Sequence, residues 1–160
     1  KRNRPIIPAE LSLDRVVDPD DIKKDDQTFV FTNGVFDFGL TQAHVECLKF
    51  AKKQGDKLVV AVNSDASTKR LKGERRPILP LEQRMKILAA LECVDYVVSF
   101  EEDTPLQLIE NLRPDKIVKG GDYKPEEVVG NHLAKVVIFP YIDCMSTTDK
   151  INKHDHLQQQ

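Results

Sequence analysis

Residues 32–44 have the sequence TNGVFDFGLTQAH, and the other elements of the chain are arranged around this stretch. An apolar run over 28–31 leads into it and a helical pattern over 45–54 follows it, which predicts the end of a strand, a loop with two glycines and the start of a helix. Backbone N–H groups at such a turn point outward without partners, and the helix dipole adds positive potential. The stretch is therefore a candidate phosphate site.

A single imidazole lies in this stretch. If Thr41 is the N-cap of the helix, His44 falls in its first turn, beside any bound phosphate. Glycine-containing turns of this kind are common, and neither the dinucleotide pattern nor the P-loop pattern occurs here. The distinctive feature is the order of residues, with Thr-Asn-Gly-x-Phe-Asp at the strand end and a histidine on the helix.

Composition narrows the classes of function. A length of 160 residues predicts one domain, and a net charge of −2 provides no electrostatic footprint for nucleic acid or an anionic membrane. Any phosphate binding must therefore come from a local site. The three cysteines are far apart, which favours a reducing, cytoplasmic location and argues against a zinc site, so we expect no protein-held metal. No apolar run approaches the roughly 18 residues that span a bilayer.

Apolar runs alternate with helical patterns between an N-terminal arm at 1–27 and a frayed tail at 154–160. The predicted strands cover 28–32, 57–63, 95–100, 115–119 and 136–140. The predicted helices cover 41–54, 81–92, a segment with Thr104 as N-cap, and 146–153, and 64–80 is expected to be a polar connection. This pattern predicts an α/β domain over 28–153, a Rossmann-like five-stranded parallel sheet of order 3-2-1-4-5 with helices on both faces. Ligands of such sheets bind at the carboxyl ends of the strands, beside strand 1.

Four polar clusters fall at the predicted carboxyl ends of strands. They are Thr32, Asn33 and Gly34; Asn63, Ser64 and Asp65; Lys119, Gly120, Gly121, Asp122 and Tyr123; and Ser146, Thr147 and Thr148. Each cluster alone has the composition of an ordinary loop. Because parallel strands end at one edge of the sheet, the four together predict a common site.

Further motifs accompany these clusters. They are VNSDAS at 62–67, RLKG at 70–73, LEQR at 81–84, VDYVV at 94–98, EDTP at 102–105 and VKGGDYKPEE at 118–127. With residues 32–44 and Ser146-Thr147-Thr148, they resemble the cytidylyltransferase-like nucleotidyltransferases, and the wider set narrows the resemblance to the bacterial D-glycero-β-D-manno-heptose 1-phosphate adenylyltransferases. The similarity extends over about 28–153 and is far more specific than a fold alone.

The resemblance implies an enzyme that transfers AMP from ATP to a sugar 1-phosphate and releases pyrophosphate. In the bacterial members the acceptor is heptose 1-phosphate, and the product is ADP-heptose for lipopolysaccharide. The implied partners are ATP and a sugar phosphate, with Mg²⁺ carried by ATP and no nucleic acid or membrane. Relatives are commonly dimers, and exposed apolar residues on the arm are compatible with a homodimer.

The chemistry needs little beyond positioning and charge neutralisation, because the attacking phosphate oxygen is already anionic. The resemblance implies His44, Thr41 and Lys72 as catalytic residues. It implies that the nucleotide is bound by Thr32, Asn33, Gly34, Phe36, Asp37, Lys119, Gly120, Asp122, Ser146, Thr147 and Thr148. The expected substrate-binding residues are Asn63, Asp65, Arg76, Arg84, Gly121 and Tyr123, with Asp37 and Asp65 orienting the sugar or the loops.

Two other functions stay open. The family's H-x-G-H motif is altered, since Thr41 replaces the first histidine, Ala43 replaces the glycine and one residue is inserted before His44, while Cys144 stands where relatives usually have glycine. A catalytically impaired nucleotide-binding homologue is one alternative. The other is a cytidylyltransferase acting on a small phospho-alcohol such as glycerol 3-phosphate, against which the clusters at 63–65 and 119–123 speak. For Arg84 alone, a surface salt bridge is the alternative to a phosphate contact.

Overall fold

The structure is a computed structural model that describes residues 15–38 and 40–140. Its strands are β1 (Phe29–Gly34), β2 (Lys57–Asn63), β3 (Tyr96–Phe100), β4 (Lys116–Gly120) and β5 (Lys135–Phe139). Its helices are α1 (Gln42–Lys52), α2 (Asp65–Lys72), α3 (Leu81–Ala89) and α4 (Leu106–Leu112), with short 3-10 helices at Pro19–Asp21 and Pro125–Glu127. All strand pairs are parallel, in the order β3-β2-β1-β4-β5. The predicted fold class and strand order are confirmed.

Both faces of the sheet are covered by helices, which explains the continuous apolar runs of the strands. Successive residues of β1 point to opposite faces, so Val30 packs in one cluster with α1 and α3 while Phe29 and Phe31 pack in another with α4. Of these, Val30 and Phe31 are fully buried. The sheet is therefore a rigid platform, and its carboxyl edge has a defined geometry.

The register of β1 creates an opening at that edge. β1 pairs with β2 over its whole length, from Phe29 opposite Lys57 to Gly34 opposite Val62. Its pairing with β4 covers only Val30 and Phe31. Beyond Phe31 the two strands no longer pair, so the sheet opens between β1 and β4 at the point where the strand order reverses.

The expectation of a polar connection over 64–80 was wrong, because α2 lies inside it. Ser64 caps this helix, its Oγ accepting from the backbone N–H of Ser67 at 3.1 Å. The buried residues of α2 are Ser67 and Thr68. Because its inward face is polar, the helix lacks the apolar periodicity by which helices are predicted.

The start of α4 also differs from the prediction. The helix begins at Leu106, and Pro105 occupies the N-cap position without a side-chain hydrogen bond. Thr104 therefore lies one residue before the cap, and its prediction as N-cap was wrong. The predicted helix over 146–153 lies outside the described residues.

Residues 15–17, at the start of the described part of the arm, pack along the outer strand of the sheet. Val16 forms a parallel bridge with Val97, and the guanidinium of Arg15 donates to the carbonyls of Leu91 and Val94 at 2.8 and 2.9 Å. These contacts tie the arm to β3, far from the opening between β1 and β4. Within residues 15–38 and 40–140, each helix is too short or too polar to span a bilayer.

Candidate functional site

A cavity of about 400 Å³ lies between the carboxyl ends of β1 and β4, where the two strands separate. We call it the first cavity. Ten of the predicted site residues line it: Thr32, Asn33, Gly34, Phe36, His44, Lys119, Gly120, Gly121, Asp122 and Tyr123. Two of the four polar clusters therefore meet here, together with the start of α1.

The N-terminus of α1 is closed by a reciprocal cap. Thr41 is the N-cap, as predicted, and its hydroxyl accepts from the backbone N–H of His44 at 3.3 Å. In return, Nδ1 of His44 accepts from the backbone N–H of Thr41 at 3.2 Å. This bond fixes the ring orientation and places the proton of a neutral imidazole on Nε2.

Phe36 holds His44 from the other side. The two rings meet edge to face with centroids 5.7 Å apart. Phe36 has a φ of 52°, a left-handed conformation that is uncommon for a bulky residue, and a Cβ on Gly34 would approach its ring to 3.0 Å. The glycine therefore lets the loop fold back tightly enough to place Phe36 against the imidazole.

The floor of the cavity contains residues that were not predicted as site residues. Ala43, Cys47 and Leu48 on α1 line it. A Cβ on Gly120 would lie 3.1 Å from Sγ of Cys47, so β4 and α1 pack closely here. The spacing of Ala43, Cys47 and Leu48 in the sequence is that of one helix face, but such spacing does not distinguish a packed core from a cavity floor.

Lys119 lies half-buried at the opposite wall. Its ammonium is 5.1 Å from the centroid of the Tyr123 ring. Burial lowers the pKa of Lys119, and the positive charge of Lys72 lowers it further. Lys72 itself is exposed at the end of α2 and does not line the first cavity, so it acts on Lys119 through its charge.

Asp37 and Arg76 are buried as an ion pair instead of lining the first cavity. Nε of Arg76 donates to Asp37, which is 1% exposed. The same carboxylate accepts from the backbone N–H groups of Ile78 and Leu79 at 2.6 and 2.9 Å. Asp37 thus fastens the segment before α3 to the end of β1.

Arg84 is the largest fully buried side chain among the described residues, so the surface salt bridge considered for it was wrong. Its guanidinium donates to the carbonyls of Leu79, Val35 and Asn63 at 2.8–2.9 Å and to Asp65 at 2.7 Å. Asp65 also accepts from the N-terminus of α3. Arg84 therefore joins the ends of β1 and β2 to α3.

Asn63, a predicted substrate-binding residue, does not line the first cavity. The Asn63 amide donates to Oγ of Ser67 at 3.0 Å and is buried beneath α2. Ser146, Thr147 and Thr148 lie outside the described residues, as does Gly39. Among residues 15–38 and 40–140, no three or more His, Cys, Asp or Glu side chains form a group that could hold a metal ion.

A five-stranded parallel sheet of this order, with a helix N-terminus, a histidine and a lysine around an opening at its switch point, is the architecture of the Rossmann-like nucleotidyltransferases. The cytidylyltransferase-like family model matches residues 31–153. The chain belongs to this cytidylyltransferase-like family.

The chain is 57% identical over 136 residues to "Bifunctional protein HldE" of Shigella sonnei (strain Ss046) and, to the same extent, of Salmonella arizonae. The match covers 82% of this chain and 28% of those relatives, so the chain spans about a quarter of their length.

Solved structures show the same fold. A lipopolysaccharide core biosynthesis protein from Thermoplasma volcanium GSS1 superimposes with a TM-score of 0.63 at 30% identity, over 73% of this chain and 99% of that one. The pantoate-beta-alanine ligase of Francisella tularensis shares the fold at a TM-score of 0.56 and 15% identity, over 91% of this chain and 79% of that one.

Proposed function

We propose that the chain transfers AMP from ATP to heptose 1-phosphate, forming ADP-heptose and pyrophosphate. The observation that carries the proposal is the first cavity, where the N-terminus of α1 with His44 faces Lys119 across the switch point. The identity to HldE and the similarity to a lipopolysaccharide core biosynthesis protein support this acceptor.

His44 acts on the phosphates of ATP in this proposal. Its Nδ1 is held by the backbone N–H of Thr41, so the ring donates from Nε2. A hydrogen bond from Nε2 to a triphosphate oxygen strengthens as negative charge develops on the leaving pyrophosphate. Thr41 contributes through the cap, which keeps the imidazole oriented, and the N-terminal N–H groups of α1 add positive potential.

The two lysines neutralise charge on the reacting groups. The acceptor phosphate attacks in line at the α-phosphorus, and the bond to the bridging oxygen of pyrophosphate breaks. No base is needed, since the attacking oxygen is anionic. Lys119 and Lys72 offset the repulsion between the two phosphates, and a bound phosphate in turn favours the charged form of Lys119.

We assign the buried charges to positioning. Arg76 and Arg84 were expected to bind substrate, but their guanidinium groups are bonded to Asp37, to Asp65 and to backbone carbonyls. We infer that they hold the loops at the ends of β1 and β2 in place. Ser146, Thr147 and Thr148 stay in the proposal as hydroxyl and N–H donors to the nucleotide, on the strength of the resemblance.

Mg²⁺ would arrive with ATP, where it offsets phosphate charge. Among the described residues that line the first cavity, Asp122 is the only carboxylate. This donor set fits a metal carried by the triphosphate with at most one protein ligand, and does not fit a protein cage. Asp122 is the residue that would reach the metal ion.

A homodimer stays a prediction, to be tested by sedimentation.

Pyrophosphate release tests the proposed function. Each of the four nucleoside triphosphates is offered with Mg²⁺ and with a panel of acceptors that includes heptose 1-phosphate and glycerol 3-phosphate. We expect release with ATP and heptose 1-phosphate. Release with CTP and glycerol 3-phosphate would instead make the chain a cytidylyltransferase for phospho-alcohols.

The same experiment covers the impaired homologue. If no pair releases pyrophosphate while calorimetry shows that ATP still binds, then the altered residues at 41–44 have removed the chemistry and kept the binding. That result would overturn the proposed activity and leave the nucleotide site in place.

A further inference from the structure

A second cavity adjoins the first, and the walls that belong to it alone have no role in the reaction described above. Its volume is about 220 Å³, and it shares Asn33, Lys119 and Tyr123 with the first cavity. Its other walls come from the loop after β3 and from the 3-10 helix after β4. These walls are Asp103, Thr104, Pro105, Glu127, Val128 and Val129.

The two cavities differ in charge, although Lys119 lines both. The second adds the carboxylates of Asp103 and Glu127 and the hydroxyl of Thr104, whereas the first adds one carboxylate, Asp122, and the N-terminus of α1 with His44. Carboxylates repel phosphate and accept hydrogen bonds from hydroxyl groups. The walls that belong to the second cavity alone therefore suit an uncharged polyhydroxy group, and phosphate groups are favoured between Lys119 and the N-terminus of α1.

Each of the two carboxylates is held in place through one of its own oxygen atoms. Oδ1 of Asp103 accepts from Nε of Arg70 at 2.9 Å, and Oε2 of Glu127 accepts from the backbone N–H of Lys124 at 3.1 Å. A carboxylate has about four lone-pair sites, so each group keeps acceptor capacity for a ligand. Restraint of this kind reduces the ordering cost when a ligand binds.

The apolar parts of the cavity complete the match to a sugar. Val128 and Pro105 are buried and form an apolar wall, and the Tyr123 ring is 46% exposed at the boundary between the cavities. A sugar presents C–H groups as well as hydroxyls, and an exposed aromatic ring beside carboxylates offers contacts to both.

We propose that the second cavity binds the hydroxyl-bearing part of the acceptor sugar, an inference that rests on the proposed function. Asp103 and Glu127 accept hydrogen bonds from sugar hydroxyls. Lys119, in the shared wall, holds the acceptor phosphate between the sugar and the nucleotide. Specificity for a polyhydroxy acceptor would then lie in the loops after β3 and β4.

Binding of the product separates this subsite from the nucleotide site. Calorimetry compares ADP with ADP-heptose for the wild type, Asp103→Asn and Glu127→Gln; glutamine at 127 retains an acceptor for the N–H of Lys124. We expect each variant to bind ADP-heptose about tenfold more weakly, because a neutral amide oxygen is a weaker acceptor than a carboxylate, and to bind ADP within about twofold of the wild type.

Two matched controls exclude indirect effects. Glu101→Gln removes a charge from the same loop at a residue that does not line the cavity. Arg70→Gln removes the ion pair and leaves the Asp103 carboxylate in place. Glu101→Gln should leave the affinities for ADP and ADP-heptose unchanged. Arg70→Gln should weaken the binding of ADP-heptose by less than about threefold, because the Arg70–Asp103 ion pair is exposed.

Three results would overturn the subsite. These are equal affinity of the wild type for ADP and ADP-heptose, equal losses for both ligands in Asp103→Asn, and a full copy of the Asp103→Asn effect by Arg70→Gln. Failure of the proposed function looks different, because it removes pyrophosphate release by the wild type. The ratio of the ADP-heptose and ADP affinities can be measured without turnover.

Discussion

Beside β2, two arginines near the carboxyl edge of the sheet are buried and bonded to protein groups, whereas between β1 and β4 a lysine lines an open cavity. Arg84 is 1% exposed and donates to three backbone carbonyls and a carboxylate. Lys119, two strands away, is half-buried, and its pKa is lowered by burial and by Lys72. Two cations at the same edge of the sheet thus differ in role, since Arg84 binds protein groups and Lys119 lines a cavity.

The difference follows from the strand pairing and from the side chains themselves. β1 and β2 pair along their full length, so groups at their ends are packed and need protein partners. A guanidinium meets that need because its planar fork serves several acceptors at once. β1 and β4 pair over two residues and leave space, and there a compact ammonium faces a ligand-sized opening. We call the buried, protein-bonded residues Asp37, Arg76 and Arg84 the framework. The framework is expected to determine stability, and the first cavity is expected to determine activity.

Replacing Arg84 is expected to give the largest effect and to test the framework half of this comparison. Arg84→Met leaves the carbonyls of Leu79, Val35 and Asn63 without their donor. Loss of a buried, hydrogen-bonded charge should lower the free energy of unfolding by about 3–5 kcal/mol. Urea unfolding followed by circular dichroism measures this loss.

Lys86→Met is the control for Arg84→Met, since Lys86 lies on the same helix in an exposed pair with Glu82. It should change the free energy of unfolding by less than about 0.5 kcal/mol. Equal stabilities for the two variants would show that Arg84 is not part of a framework.

Replacing His44 tests the expectation that the first cavity determines activity. His44→Gln retains a side-chain acceptor for the backbone N–H of Thr41 and removes the imidazole, because glutamine also serves at this position of a capping box. Turnover should fall about 10²–10³-fold, as for the loss of one preorganised donor, with ATP affinity changed less. Pyrophosphate release and calorimetry measure the two quantities.

His44→Ala separates the cap from the chemistry. It removes both the imidazole and the acceptor for Thr41, so it should lower the free energy of unfolding by about 1 kcal/mol relative to His44→Gln while turnover is similar. Turnover near the wild-type rate in His44→Gln would exclude His44 from the reaction.

The smallest expected effect concerns the two lysines. Lys72→Gln removes a positive charge and should raise the pKa of Lys119 toward its ordinary value, with the contribution of burial remaining. A pH titration of the ¹³Cε resonance of Lys119 measures the shift. Lys69→Gln is the control on the same helix, where Lys69 pairs with Glu74. An equal shift in both variants would mean that Lys72 has no specific electrostatic effect on Lys119.

Local patterns were sufficient for the strands and for the start of α1. β2 follows the predicted range 57–63, because a strand buried on both faces is a continuous apolar run. The cap by Thr41 was predicted because its hydroxyl bonds within three residues along the chain. α2 was missed, since its buried face is made of Ser67 and Thr68, whose environment depends on contacts distant in sequence.

The parallel sheet, the order of its strands and the meeting of the 32–34 and 119–123 clusters at one edge were all predictable from the sequence. The sheet and the meeting of the clusters follow from apolar periodicity and from the rule that parallel strands end together, and the order is the usual one of Rossmann-like sheets. Which charges are buried and which line a cavity became visible only in the folded chain. Arg84 and Lys119 are both single cations in polar motifs, and the number of acceptors around each depends on residues that are brought together only by folding.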